Sequence, residues 1–166
     1  MADRGGEPRA QRESRAQRES REPAGKQLKI MVAVGGQKVD EETVRMACRV
    51  AKDRNGKLYG VHVIEVNRSL PLSAPVEHLV ERGEEVLEEL EQIASEAEVD
   101  AETEMVQARD TGPAIVGEAE EWGADLIFMG LPYKRRFGEF FLGKTVPYVL
   151  KNAPCRVVLY RERLEA

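Results

Sequence analysis

Leu28-Lys29-Ile30-Met31-Val32-Ala33-Val34 runs directly into Gly35-Gly36. The run is nearly all apolar, too short for a helix and closed by glycines, so it reads as a strand buried on both faces. A helix follows, with Asp40 as its capping residue. Val44, Ala47, Cys48, Val50 and Ala51 mark its apolar face, and Asn55-Gly56 ends it. Lys57 to Ile64 reads as a second strand. After Pro71 and Pro75 comes a long helix whose stripe is Val76, Leu79, Val80, Val86, Leu87, Leu90 and Ile93, opposite a heavily acidic face. Ala101 to Ala108 is a third strand. Asp110-Thr111-Gly112-Pro113 opens a helix with a capping residue and an early proline, and Trp122-Gly123 closes it. Asp125 to Gly130 is a fourth strand and Pro154 to Tyr160 a fifth, with a short helix around residues 145–151 between them. Strands alternating with helices pair in parallel through crossovers. The pattern predicts an open five-stranded α/β sheet.

The composition sets the limits around that sheet. The chain has 166 residues, 42% of them hydrophobic and 33% charged, with a net charge of −5. That length suits one domain. No run approaches the ~18–20 apolar residues of a membrane span, so no direct membrane insertion is expected. The start is rich in Arg and Glu and lacks an apolar core, which argues against a secretory signal. Cys48, Cys155, His62 and His78 are too few and too scattered for a disulfide scaffold or a metal site. The net negative charge argues against nucleic-acid binding. A soluble, cytoplasmic protein is the expectation.

Residues 1–27 stand apart. They hold seven Arg or Lys against five Asp or Glu, and Ala10-Gln11-Arg12-Glu13-Ser14-Arg15 repeats at once as Ala16-Gln17-Arg18-Glu19-Ser20-Arg21. No apolar residue larger than Ala occurs between Met1 and Leu28. Such a segment buries too little to offset an ordering cost of ~1–2 kcal/mol per residue, so a disordered charged tail is expected ahead of a domain over residues 28–163.

In open α/β sheets, ligands bind beyond the carboxyl ends of the strands, where the strand order reverses. The candidate turns are Gly35-Gly36 and the loop from Gly130. The loop carries Lys134, Arg135, Arg136, Gly138, Gly143, Lys144 and Thr145, a set of glycine amides and cations suited to an anion. Lys144, at the start of the next helix, is the stronger cation candidate over Lys134. Gly138-Glu139-Phe140-Phe141-Leu142-Gly143-Lys144-Thr145 satisfies the G-x-x-x-x-G-K-[ST] pattern literally. Seven residues separate it from its strand, however, and its variable positions are one acid and three bulky apolar side chains, so it is not read as a true P-loop.

Four segments carry a resemblance to the universal stress protein family, over about residues 28–161. Ile30 to Gly36 resembles the family's opening V-A-V-D-G-S, and Gly60-Val61-His62-Val63 its second strand. Gly123-Ala124-Asp125-Leu126-Ile127-Phe128-Met129-Gly130 is similar to G-A-D-L-I-V-M-G, and Asn152-Ala153-Pro154-Cys155-Arg156-Val157-Val158 to H-A-P-C-P-V-L-V. The resemblance implies a Rossmann-like fold of the adenine nucleotide alpha hydrolase type, with strand order 3-2-1-4-5 and helices on both faces. In the family's nucleotide-binding branch the loop reads G-x-x-G, nine residues, then G-[ST]. Gly130 and Gly143 match its outer glycines, while Tyr133 replaces the middle glycine and Lys144 the final Ser or Thr. Gly35 stands where the family has an aspartate that contacts the nucleotide. These three departures predict weak binding of ATP or another adenine nucleotide.

Phe137, Phe140 and Phe141 read as packing beneath the loop or at an interface. His62 and Cys155 read as core residues. No nucleophile–base pair or carboxylate pair is legible, so no catalytic residue and no metal ligand is assigned. The expected function is a regulatory binding module sensing a nucleotide or other anion. The alternatives are weak ATP hydrolysis at the Gly130–Thr145 loop, or a module that binds a partner protein such as a transporter without nucleotide. In the implied order the last strand lies at a sheet edge with Val157, Val158 and Leu159 uncharged, and the family commonly pairs this strand with its symmetry mate. A homodimer is therefore expected.

Overall fold

A computed structural model describes residues 26–164; the charged tail expected over residues 1–27 lies almost wholly outside the described residues. The elements are β1 (Lys29–Ala33), α1 (Lys38–Asp53), β2 (Lys57–Glu65), α2 (Glu77–Glu96), β3 (Ala101–Ala108) and α3 (Thr111–Trp122). They continue with β4 (Leu126–Leu131), β5 (Arg135–Arg136), β6 (Glu139–Phe140), α4 (Thr145–Asn152) and β7 (Arg156–Arg161). Five strands form one parallel sheet in the order β3-β2-β1-β4-β7. This is the expected 3-2-1-4-5 order, with β7 as its fifth strand.

β1 lies at the centre because both its faces are apolar. Ile30 and Val32 face α1 and α2, among Val44, Ala47, Leu87, Leu90 and Phe128. Met31 faces the other layer, among Ile115, Ala119, Ile127, Val146 and Val149 of α3, β4 and α4. All three β1 side chains are fully buried. Asp125 locks the starts of the two central strands together. Its carboxylate accepts the Lys29 N–H at 2.9 Å, while its own N–H donates to the Lys29 carbonyl at 2.8 Å. Gly123, at φ +72°, supplies the left-handed residue that ends α3 just before it.

One expected cap is corrected, and a second keeps its position without its side-chain bond. Gln37, not Asp40, is the N-cap of α1, because the helix begins at Lys38. Asp40 sits in the first turn and reaches back to the preceding amides. Asp110 does hold the N-cap position of α3, yet its carboxylate makes no bond to the helix. It pairs instead with Arg68 at 3.2 Å and Lys144 at 3.4 Å. The cap comes from a neighbouring strand: Glu65 accepts both the Thr111 N–H at 3.0 Å and the Thr111 hydroxyl at 2.9 Å. The β5–β6 hairpin is a third difference, since the sequence gives this segment only as a loop.

Candidate functional site

The carboxyl ends of β1, β2 and β4 open on a cavity of about 590 Å³, where the order of the sheet reverses. Its walls are mostly apolar: Ala33, Val61, Val63, Ile64 and Met129 from the strands, with Ile115 from α3. Polar groups gather at its rim, including Asp40, Glu65, Arg82, Thr111, Lys134 and Thr145. An apolar slot with a few polar groups at one end is the usual form of a small-molecule site.

The expected site residues divide. Gly35, Gly130, Lys134, Gly143 and Thr145 line the cavity. Gly36, Arg135, Gly138 and Lys144 are not among its lining residues. Gly36 packs beneath Arg82, whose guanidinium donates to the Gly36 carbonyl at 3.1 Å, and at φ +86° it holds a left-handed turn. Arg135 and Gly138 belong to the hairpin. Lys144 points at carboxylates, with its Nζ 3.4 Å from Asp110 and 3.6 Å from Glu65.

Gly130 has a structural duty. A Cβ there would lie 2.8 Å from the Thr43 hydroxyl and 2.9 Å from Val39 Cγ1, both on α1. The glycine lets the helix approach the strand.

Asp40, which the sequence marks only as a helix cap, also lines the cavity. Its Oδ2 accepts the N–H groups of Gly35, Gly36 and Gln37 at 2.9, 2.8 and 2.9 Å. A carboxylate thus lies at the turn where Gly35 replaces the family's aspartate, supplied by the helix five residues later. The same bonds use the amides that would otherwise face an anion. Burial pushes the Asp40 carboxyl above the usual carboxylate range, the three backbone donors pull it partly back, and Glu89 adds to the rise.

Tyr133 does not narrow the cavity. Its ring stacks on Phe140 with centroids 5.0 Å apart and lies under the Arg161 guanidinium at 5.4 Å, while its N–H donates to Glu162 at 3.1 Å. His62, buried at the cavity wall, places Nδ1 2.8 Å from the Val34 carbonyl, a contact that only an Nδ1–H can satisfy. Among the described residues no group of three His, Cys, Asp or Glu side chains is placed to hold a metal ion.

Residues 28–161 match the model of the universal stress protein family. The chain belongs to that family. Among relatives of this universal stress protein domain, Universal stress protein MJ0531 of Methanocaldococcus jannaschii is 31% identical over 140 residues, covering 81% of this chain and 82% of the relative. The universal stress protein from Archaeoglobus fulgidus in complex with dAMP has a similar structure. Its TM-score is 0.63 at 22% identity, covering 80% of this chain and 96% of that one. A universal stress protein family protein from Arabidopsis thaliana with AMP bound gives a TM-score of 0.63 at 16% identity, covering 82% and 92%. At those identities the likeness of the structures is one of fold, and it agrees with the expected Rossmann-like sheet.

Proposed function

We infer that this chain is a regulatory binding module that takes an adenine nucleotide weakly, with the base in the apolar slot and the phosphate end at Lys134, Gly143 and Thr145. The observation that carries this reading is the cavity at the sheet's reversal point, with apolar walls and a cation, a hydroxyl and a glycine turn on one side. The dAMP and AMP bound by the Archaeoglobus and Arabidopsis proteins support the ligand class. The donor set fits a lightly charged ligand better than a triphosphate. Lys144 is engaged by Glu65 and Asp110, and the amides of Gly35, Gly36 and Gln37 by Asp40. A long phosphate chain would meet those carboxylates. ATP affinity is expected in the high-micromolar range or weaker, about −5 kcal/mol or less favourable.

Binding is favoured over hydrolysis because the groups nearest the slot are committed: His62 Nδ1 to a carbonyl, Asp40 to three amides. The cavity lining favours Lys134 over Lys144, the opposite order to that expected from the sequence. Lys134→Ala should weaken nucleotide binding more than Lys144→Ala, since Lys134 alone of the pair lines the cavity. A thermal-shift panel of AMP, dAMP, cyclic nucleotides and ATP tests the reading. A ligand at ~100 times its Kd adds ~2.7 kcal/mol and raises the midpoint visibly. No rise with any adenine nucleotide would leave a module that binds only a protein partner.

The same reading includes a homodimer through β7. This strand is an edge of the sheet, bonded to β4 on one side only. Glu162 N–H donates to Leu131 of β4 at 2.8 Å, so by alternation the backbone groups of Val157 and Leu159 point to the open side. That edge carries no charge between Arg156 and Arg161 and invites pairing with its symmetry mate. Light scattering at tens of micromolar is expected to report twice the monomer mass of 18.6 kDa. A monomer at that concentration contradicts it.

A further inference from the structure

The hairpin between β4 and α4 ends in a tip, residues 135–140, that lies outside the cavity lining. Arg135–Arg136 and Glu139–Phe140 pair as two short antiparallel strands. Phe137 at φ +53° and Gly138 at φ +79° form the turn between them. Positive φ at both central residues is the two-residue hairpin turn that favours Asn-Gly. A phenylalanine there adopts backbone that a bulky side chain rarely takes. It is also 94% exposed, the most exposed of the large hydrophobic side chains. A strained, solvent-facing aromatic residue at a hairpin tip contributes nothing to the core.

The base of the hairpin is braced against the domain. Phe140 stacks on Tyr133, which Arg161 covers from the domain side, and the Phe141 N–H donates to the Lys134 carbonyl at 2.9 Å. Tyr133, the residue in place of the family's middle glycine, therefore serves as the hairpin's footing. Around the tip are two cations, Arg135 and Arg136, which form no ion pair among the described residues. The Arg136 guanidinium lies 5.6 Å from the Phe137 ring and 5.5 Å from the Phe141 ring. Every residue from Lys134 to Leu142 is exposed, Phe140, Phe141 and Leu142 included. This is a basic, aromatic projection on a chain whose net charge is −5.

We propose that the tip of this hairpin, residues 135–140, docks this protein on an anionic lipid bilayer surface, with Phe137 entering the headgroup boundary and Arg135 and Arg136 held against the acidic headgroups. A bilayer accepts a single projecting aromatic residue without shape complementarity, and its surface potential attracts basic residues beside it. A protein partner fits less well, because a stable interface needs about 1,000 Å² or more of matched surface and a two-residue-strand hairpin offers far less. No helix among the described residues is long and apolar enough to cross a membrane, so the contact is peripheral.

The test is co-sedimentation of the full chain with vesicles of phosphatidylcholine alone and with about a third phosphatidylserine. Binding is expected only to the anionic vesicles, and to fall steeply when salt rises from about 0.1 to about 0.5 M. Phe137→Asn gives the turn a residue it prefers and removes the aromatic tip, so the hairpin keeps its shape. Binding should drop about tenfold while the unfolding midpoint stays or rises. Arg135→Ser with Arg136→Ser should lower it similarly. The proposal is overturned by no binding to anionic vesicles, the outcome expected if the true partner is an acidic protein. Equal binding to neutral vesicles overturns it as well. So does binding that Phe137→Asn leaves intact, which would assign the contact to the arginine-rich residues ahead of the domain.

Discussion

Replacing Asp40 by alanine should lower the unfolding midpoint by several degrees. One carboxylate oxygen accepts three backbone donors, from Gly35, Gly36 and Gln37, on the turn between the central strand and α1. These donors sit at a part-exposed turn that water can reach, so losing their shared acceptor costs about 0.5–2 kcal/mol, the range of a lost helix cap. In a domain of this size that corresponds to a shift of about 2–4 °C for each kcal/mol. Asp40→Asn keeps a carbonyl oxygen for those donors and has no charge to desolvate, so at neutral pH it should cost less than alanine. The two variants separate the acceptor from the charge.

Asp40 also sets a pH dependence. Burial raises its carboxyl above the ordinary value, so the folded chain holds the proton more tightly than the unfolded chain. Its contribution to stability is fully present below the unfolded pKa and is lost as pH rises through the raised folded value. Thermal unfolding scanned upward from about pH 4 should show the unmutated protein losing ground against Asp40→Asn across that window and running parallel to it above. Parallel curves throughout would show that the three donors cancel the cost of burial.

Gly130→Ala is expected to have a comparable effect for a different reason. The added carbon would press on the Thr43 hydroxyl and Val39 Cγ1. Thr43 is fully buried and donates to the Val39 carbonyl at 2.8 Å, so it has little freedom to move. Overpacking of this kind costs about 1–3 kcal/mol. Denaturant unfolding should show a lower midpoint with an unchanged slope. An unchanged midpoint would mean that α1 lifts freely from β4, and that Gly130 is kept for the ligand rather than for the fold.

The sheet was legible because each strand announces itself locally. Ile30, Met31 and Val32 form an unbroken apolar run, and the third strand falls at the expected residues, Ala101–Ala108. In Gly123-Ala124-Asp125 the glycine ends α3 and the carboxylate ties the start of β4 to the start of its neighbour β1. The site was less legible because its polar groups are paired across the sheet. Lys144 reads as a phosphate ligand until Glu65, at the end of β2, and Asp110, after β3, are brought beside it by the parallel register. Arg82 enters the rim from a helix that gives no sign of facing the cavity. Asp40 was legible in part: an acid close after a glycine turn signals a helix start, but not that all three turn amides converge on it. The hairpin was hidden by its turn residue, since Phe137 holds a conformation that sequence rules reserve for Asn, Asp or Gly. Tyr133 looks like an obstruction in a glycine-rich loop only until Phe140 is seen to stack on it.

The central claim is a lightly charged adenine nucleotide in an apolar slot whose anion donors are largely engaged by the protein's own carboxylates. Calorimetric titration of AMP and of ATP into the same protein tests it most directly. AMP should bind at least as tightly as ATP, with ATP in the high-micromolar range or weaker, and Lys134→Ala should weaken AMP while Lys144→Ala changes it little. ATP binding in the low-micromolar range, tighter than AMP and lost with Lys144→Ala, would contradict it.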